Sequence, residues 1–511
     1  MEKRHIEIMD TTLRDGEQTS GVSFMPHEKL MVARALLQDV NVDRIEVASA
    51  RVSVGEQEAV SNICRWASQT GRLERVEVLG FVDGHVSVDW ICEAGGKNIN
   101  LLCKGSLRHC QGQLGKTLEQ HTKDILEVIA YADKKGVGVN VYLEDWSNGI
   151  KESPEYVFGL VDALKDTSVR RFMLPDTLGV LSPMDIQHYM GQMVSRYTDK
   201  HFDFHAHNDY DLAIANVLAA VSAGCQGVHT SVNGLGERAG NASLASVQAV
   251  LKDQLTSVAT SVDEGRLNEV SRLVESYSGI AIPPNQPIVG DSVFTQVAGV
   301  HADGDNKAGL YQNGLIPERF GRKREYALGK NSGKANILKN LEELGLELTA
   351  EQTRRVTERI IELGDKKELV TQEDLPYIVS DVLKHATIDE RVTLDSYMVS
   401  TSYGLRPIAS VKLNVNGILY EETATGDGQY DAFVRCIRHI YRDKLGRKFP
   451  WLSNYNVSIP PGGRTDALVQ TIIEWQFEGK TYRTHALDAD QTEAAIKATI
   501  KLLNIIEDIY K

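Results

Sequence analysis

Through residues 5–260, short runs rich in β-branched and aromatic residues alternate with stretches whose apolar positions recur every three or four residues. The runs HIEIMD (5–10), VDRIEVA (42–48), VEVLGFV (76–82), NINLLCK (98–104), GVNVYLED (138–145), RRFMLPD (170–176), HFDFHAH (201–207) and GVHTSVNG (227–234) read as strands. Between them, segments such as HEKLMVARALLQDV (27–40) and SPEYVFGLVDALKD (153–166) read as amphipathic helices. Eight strand–helix units are the number that closes a (β/α)8 barrel. An open doubly wound sheet would want a glycine fingerprint after the first strand, and DTTLRDGEQ (10–18) is not one.

The pattern changes after residue 265. GIAIPPNQPIVGDSVFTQVAGVHADGDNKAGLY (279–311) is rich in Pro and Gly and reads as a connector leading into a small subdomain. A helical stretch follows, with VTERIIELGDKKEL and EDLPYIVSDVLKHA. The predicted organisation is a barrel over 1–265, a connector and first small subdomain over 266–330, a helical subdomain over 331–392, and an α+β module over 393–511. That last module repeats itself: residues 411–441 and 472–503 each read as strand, tight turn (Asn416-Gly417, Glu478-Gly479), strand, acidic loop and helix. In the final helix, Ile496, Ile500, Leu503 and Ile506 fall on one stripe. Each half would have an apolar face that a second half, or a second subunit, must cover. The module holds no nucleophile or metal cluster and reads as regulatory or dimerising.

Composition narrows the function. The 511 residues carry a formal net charge of −14, which disfavours nonspecific nucleic-acid binding. No run approaches the ~20 apolar residues of a membrane span. MEKRHIEIMD enters a strand at once, so the sequence predicts no signal peptide and a cytoplasmic location. Six scattered cysteines without a CxxC pair read as reduced thiols, with Cys103 and Cys110 as buried filler.

Candidate chemistry sits where barrels keep it, at the C-terminal strand ends. Arg14 and Asp15 follow the first strand, and Glu46 lies inside the second. Tyr142, Glu144 and Asp145 end the fifth, Asp176 and Thr177 the sixth. His205, His207 and Asn208 end the seventh, and Asn233, Glu237, Arg238 and Asn241 follow the eighth. His205 and His207, at i and i+2 on a strand, point to one face. Such a pair either chelates a metal or packs as ordinary histidine. Barrel closure brings strands seven, eight and one together, so Asp15 and Asn241 can join the same ion. Two imidazoles, a carboxylate and an amide oxygen suit Zn²⁺ or Mn²⁺, with Mg²⁺ as a third option. GKNSGKAN (329–336) has the wrong spacing for a phosphate loop, and a solvated basic turn explains it equally well.

Together DTTLRDGEQ, HAHND (205–209) and NGLGERAGN (233–241) resemble the α-isopropylmalate and citramalate synthases, metal-dependent barrel enzymes, and the resemblance extends over essentially the whole chain. It is strongest to the pyruvate-using citramalate group. The resemblance implies condensation of acetyl-CoA with a 2-oxo acid, followed by thioester hydrolysis. Asp15, His205, His207 and Asn241 match the metal ligands, Thr177 the substrate-carboxylate contact and Arg14 the group facing the carbonyl oxygens. Glu144 and His301 match residues of proton removal. Asp303, Leu310 and Tyr311 match positions near acetyl-CoA, with Gly309 where the family usually has Asn. Leu79, Leu102 and Tyr142 match the lining of the side-chain pocket. The isopropylmalate synthases typically have Ser in place of Tyr142, and a phenol ring there leaves room for little more than a methyl group. The implied product is therefore (R)-citramalate, made from pyruvate on a route to isoleucine; the alternative is a 2-isopropylmalate synthase using 2-oxoisovalerate. Tyr430, Leu452, Tyr455, Ile459 and Val469 match the lining of a feedback site for isoleucine or leucine at a homodimer interface, with Ala489 where a Pro fits the pattern. The rival readings are a lyase working in the cleavage direction and a nonenzymatic metal-bound scaffold.

Overall fold

The computed structural model describes residues 3–298, 313–344, 346, 348–365, 370, 372–383, 391–458, 469–507 and 510. Eight strands close a barrel: β1 (Glu7–Asp10), β2 (Arg44–Ser49), β3 (Val76–Phe81), β4 (Asn98–Lys104), β5 (Gly138–Glu144), β6 (Phe172–Asp176), β7 (Phe202–Ala206) and β8 (Gly227–Thr230). All neighbours are parallel, and β1 closes on β8 with Asp10 opposite Thr230. Seven of the strands fall within the runs read from the sequence, and β2 overruns its run by one residue, Ser49.

Strand alternation separates two environments. On β4, Ile99, Leu101 and Cys103 join the large core between strands and helices, while Asn98, Asn100 and Leu102 alternate with them. The helix Leu118–Lys135 shows why the outer layer forms. Thr117 and Gln120 cap it reciprocally, Gly136 ends it in the left-handed region at φ 68°, and Ile125, Val128, Ile129 and Ala132 face the core. The barrel interior carries charge. Arg44 reaches Glu7 at 2.9 Å, Glu77 at 3.1 Å and Asp203 at 2.5 Å, all inside the sheet. A buried cation on β2 is thus matched by carboxylates from β1, β3 and β7.

The chain divides into two compact units, one holding the barrel on to Phe294 together with 313–324, the other holding residues from Glu325 onward. In the first, the helix Leu267–Ser278 buries Leu267, Val270 and Val274 against the barrel core. In the second, helices Lys334–Glu343, Ala350–Asp365 and Leu375–Leu383 share a small core that includes Ile337, Leu341, Val356, Ile360 and Leu375.

The C-terminal module has two antiparallel three-stranded sheets, each followed by a helix. The first is β9 (Val392–Ser400), β10 (Ile408–Val415) and β11 (Ile418–Thr425) with helix Gln429–His439. The second is β12 (Trp451–Ser458), β13 (Val469–Phe477) and β14 (Lys480–Asp488) with helix Gln491–Glu507. The repeat read from the sequence had two strands per copy; β9 and β12 add a third. Both are edge strands, and exposure along β9 blurs the alternation that marks a strand. The halves cover each other within one chain. Val411, Leu413, Phe433 and Ile437 share a core with Ile473, Trp475, Ile496, Leu503 and Ile506. Asn504 in the last helix exchanges hydrogen bonds with the backbone of Val392 at 3.0 and 2.8 Å. Buried Glu507 accepts from Arg447 at 2.6 Å, Tyr441 at 3.1 Å and Asn416 at 2.9 Å. Among the described residues no helix is long and apolar enough to cross a membrane, and Cys103 and Cys110 are buried thiols.

Candidate active site

The stretch after β1 folds into a tight turn. The Asp15 N–H donates to the Thr11 carbonyl at 2.9 Å, and the Thr12 N–H donates to Asp10 Oδ1 at 2.9 Å. Thr11 Oγ1 donates to Glu46 Oε2 at 2.9 Å, Arg14 Nε to the same oxygen at 2.6 Å, and Asn100 Nδ2 to Glu46 Oε1 at 2.8 Å. Burial would raise the Glu46 carboxyl, but the Arg14 guanidinium lowers it below its ordinary value. Glu46 therefore anchors Arg14. The sequence reading placed Glu46 in its strand without this role, although an interior carboxylate in mid-strand demands a cationic partner.

Beside Arg14 lie the metal-type donors. One carboxylate oxygen of Asp15 and one nitrogen from each of His205 and His207 lie within 4.8 Å of one another, all three residues buried. His205 Nε2 stands 3.0 Å from Asp15 Oδ2, His207 Nε2 3.8 Å from the same oxygen, and the two Nε2 atoms are 3.3 Å apart. Burial would raise the Asp15 carboxyl, but Arg14, with Nη1 at 3.6 Å, and His205 hold it well below the carboxylate range. Burial, then neighbouring His205, pushes His207 down to about 4, which leaves it neutral and able to ligate.

Asn241 comes from the loop after β8, bridged by backbone to His207. Its Nδ2 donates to the Leu235 carbonyl at 3.0 Å, which leaves Oδ1 buried without a partner. Gly236 allows this, because a Cβ there would meet Asn241 Nδ2 at 2.5 Å. Asp15 Oδ1 is likewise buried without a hydrogen-bond partner. A carboxylate oxygen converging with two imidazole nitrogens, beside a loop amide whose buried oxygen is unpartnered, fits a divalent cation.

Met9, Leu79, Tyr142 and Met173, with Leu102 against them, form an apolar cluster apart from the main core. Tyr142 is 2 % exposed. Its ring stands edge-on to His205 with centroids 6.3 Å apart, and its hydroxyl is 3.5 Å from Arg14 Nη2. The structure thus gathers Arg14, Asp15, His205, His207, Tyr142, Leu79 and Leu102 inside one barrel mouth.

Glu144 ends β5 directly opposite Lys104 on β4, and their charged groups form an ion pair. The sequence reading paired Glu144 with His301, which lies outside the described residues, and did not foresee Lys104. Thr177 Oγ1 accepts from the Asp145 N–H at 2.9 Å. Asp145, at φ 63°, is held by Ser106 and Asn148, each at 2.7 Å. Arg238 grips both oxygens of Asp209 at 2.7 and 2.9 Å and the Thr177 carbonyl at 2.9 Å, tying together the loops after β6, β7 and β8. Asn208 accepts from the Ala213 N–H at a helix start, and Asn233 donates to the Ser271 carbonyl, so both organise backbone.

In the C-terminal module, Tyr430 and Tyr455 meet with ring centroids 5.3 Å apart, and the Tyr430 hydroxyl bonds Thr499 Oγ1 at 2.7 Å. Leu452 shares β12 with Tyr455, and Val469 opens β13. His301, Asp303, Leu310, Tyr311 and Ile459 lie outside the described residues.

Three family models match in succession: HMGL-like over residues 5–274, homocitrate synthase post-HMGL domain-like over 288–368, and the LeuA allosteric (dimerisation) domain over 369–507. The chain is 33% identical over 503 residues to a putative (R)-citramalate synthase CimA of Archaeoglobus fulgidus, covering 98% of this chain and 99% of that one. It is 35% identical over 503 residues to a probable 2-isopropylmalate synthase of Methanopyrus kandleri, covering 98% of each chain. It is 33% identical over 504 residues to the (R)-citramalate synthase CimA of Methanocaldococcus jannaschii, covering 98% of this chain and 99% of that one. A barrel with a buried Asp-His-His donor set, matched from end to end by such relatives, places the chain in the HMGL-like family, in the LeuA group whose barrel is joined to an allosteric dimerisation domain.

Proposed function

We propose that the protein is an acyltransferase condensing acetyl-CoA with a 2-oxo acid, and that the acid is pyruvate, giving (R)-citramalate and free CoA. The relatives' names support the reaction class, but they divide between citramalate and 2-isopropylmalate synthases. The observation that carries the choice is Tyr142, whose buried ring stands among Met9, Leu79, Leu102 and Met173 where a larger acid would need space for an isopropyl group. Steric exclusion of this kind adds to the ~1–3 kcal/mol by which a pocket distinguishes one methylene.

Asp15, His205, His207 and Asn241 would hold the divalent cation, which when bound supplies Lewis-acid polarisation of the substrate carbonyl. Arg14, fixed by Glu46, presents its remaining N–H groups to the oxygen on which negative charge develops. Thr177 orients the substrate carboxylate. Glu144 takes a proton from the acetyl methyl group, whose carbon then bonds to the keto carbon of pyruvate. Lys104 fixes the position of that carboxylate. Water then cleaves the thioester, releasing CoA thiol and making the sequence irreversible. The C-terminal module supports a homodimer regulated by a branched-chain amino acid, isoleucine before leucine, and the reaction belongs in the cytoplasm at the head of a pyruvate route to isoleucine.

The test is a thiol-release assay with acetyl-CoA and a panel of 2-oxo acids, with and without chelator. Pyruvate should give the highest kcat/KM. Preference for 2-oxoisovalerate would overturn the substrate assignment, and no thiol release with any acid would overturn the reaction class.

A further inference from the structure

Tyr142 is held from behind. Its hydroxyl lies 3.0 Å from His229 Nδ1, and the rings meet edge-on with centroids 5.5 Å apart. His229 Nε2 lies 3.1 Å from Asp203 Oδ2. The same oxygen takes Arg44 Nη2 at 2.5 Å, and Asp203 Oδ1 takes His201 at 2.8 Å. Tyr142, His229 and Asp203 are all buried, on β5, β8 and β7. The carboxylate of Asp203, paired with the Arg44 guanidinium, accepts and does not donate. His229 therefore carries its proton on Nε2, donates it to Asp203, and offers the Nδ1 lone pair to the tyrosine O–H. Gly227 makes room, because a Cβ there would meet Asp203 Oδ1 at 2.0 Å. Towards the site, the Tyr142 hydroxyl also takes Arg14 Nη2 at 3.5 Å and the His229 ring stands 5.5 Å from that of His205, while the reaction as proposed above uses neither His229 nor Asp203.

We propose that His229 and Asp203 are specificity-positioning residues: they latch the Tyr142 hydroxyl so that its ring remains across the side-chain pocket, and thereby set the size of 2-oxo acid the enzyme takes. The proposal rests on the reading that Tyr142 lines that pocket. A free phenol side chain can rotate between staggered wells and vacate the space. A hydroxyl anchored to a buried imidazole, itself anchored to a buried carboxylate, removes that freedom. The wall is then made by orientation as well as by ring volume.

The experiment compares wild type, Tyr142→Phe, His229→Leu, His229→Gln and the double variant Tyr142→Phe/His229→Leu. Two readouts are taken: kcat/KM for pyruvate, 2-oxobutyrate and 2-oxoisovalerate, and the melting temperature. Tyr142→Phe keeps the ring and removes the latch together with the hydrogen bond from Arg14. Loss of the Arg14 contact lowers kcat/KM for every acid alike, so the latch is read from the 2-oxobutyrate-to-pyruvate ratio of kcat/KM, which should rise by about 10-fold. His229→Leu should do the same. His229→Gln, which retains an acceptor, should sit nearer wild type. In melting, the double variant should fall little below the lower single variant, because both singles break one shared contact. Equal loss on every acid, with the ratio unmoved in Tyr142→Phe, would overturn the proposal, as would melting losses that simply add. The melting arm needs no turnover, so it still decides the latch if wild type prefers 2-oxoisovalerate or releases no thiol, results that would instead strike the proposed function. Should His229→Leu fail to fold, Tyr142→Phe and His229→Gln carry the same comparison.

Discussion

Glu144 and Lys104 face each other in register at the ends of adjacent barrel strands, and the lysine ammonium pairs with the carboxylate proposed to take the acetyl proton. A side chain that must meet a methyl group at one angle gains from being fixed at its carboxylate. Lys104→Met should therefore lower kcat by ~10²-fold, the penalty of a misplaced reacting group, with a smaller effect on KM for pyruvate. Lys104→Arg should recover part of the loss. Steady-state kinetics on the purified variants check this.

Loss of the ion should be visible without turnover. Chelation of metal-loaded protein should abolish thiol release and lower the melting temperature, since a ligand at a hundred times its Kd adds about 2.7 kcal/mol to stability. Added Mn²⁺ or Zn²⁺ should restore both. Asp15→Asn and His207→Ala should melt at the same temperature with and without chelator, and metal analysis should find them empty.

Tyr142→Ser should open the pocket. The kcat/KM for 2-oxoisovalerate relative to pyruvate should rise at least ~10-fold. The cavity left among Met9, Leu79 and Met173 should cost stability, roughly 3–5 kcal/mol on the scale of aromatic truncations, read from chemical denaturation.

His121 gives a pH signature away from the metal donors. Its Nε2 accepts the Lys104 N–H at 3.0 Å, and burial, then nearby Lys116, pushes the imidazole down from 6.5 to about 4. Between those values the unfolded chain binds a proton that the folded protein refuses. This contribution to stability is intact above pH 6.5 and lost as pH falls towards about 4. His121→Gln lacks that titration, so its melting temperature relative to wild type should climb as pH drops across the window. Parallel melting curves would contradict this.

In the regulatory module, Tyr430→Phe removes the hydroxyl that meets Thr499 where the helices of the two repeats approach. With isoleucine as the proposed inhibitor, the concentration giving half inhibition should rise by ~5-fold, the worth of one hydrogen bond of about 1 kcal/mol. Inhibition curves on wild type and variant measure it.

The barrel was legible because each strand is a short run rich in β-branched and aromatic residues that ends in chemistry, as in HFDFHAH, where β7 stops at Ala206 and both histidines stand at its rim. The metal donors could be grouped because closure of a parallel barrel fixes which strand ends are neighbours. Partners inside the barrel were less legible. Nothing local in VDRIEVA announces that Glu46 will hold Arg14, or in GVHTSVNG that His229 will back Tyr142, since those pairings depend on which positions alternate inward at the same height. Lys104 was within reach, because setting β4 and β5 side by side from their ends puts it opposite Glu144. The third strand of each repeat escaped because an edge strand with much of its length exposed carries little hydrophobic rhythm.

The C-terminal module is closed by its last helix: Asn504 staples β9, and Glu507 gathers Asn416 and Tyr441 from the first repeat and Arg447 from the connection to β12. The first repeat is therefore made with one apolar face bare, and the helix that covers it follows only after the second sheet. Loss of the last helix should thus leave the barrel core whole while the first repeat stays uncovered, a lesion confined to one of the two units.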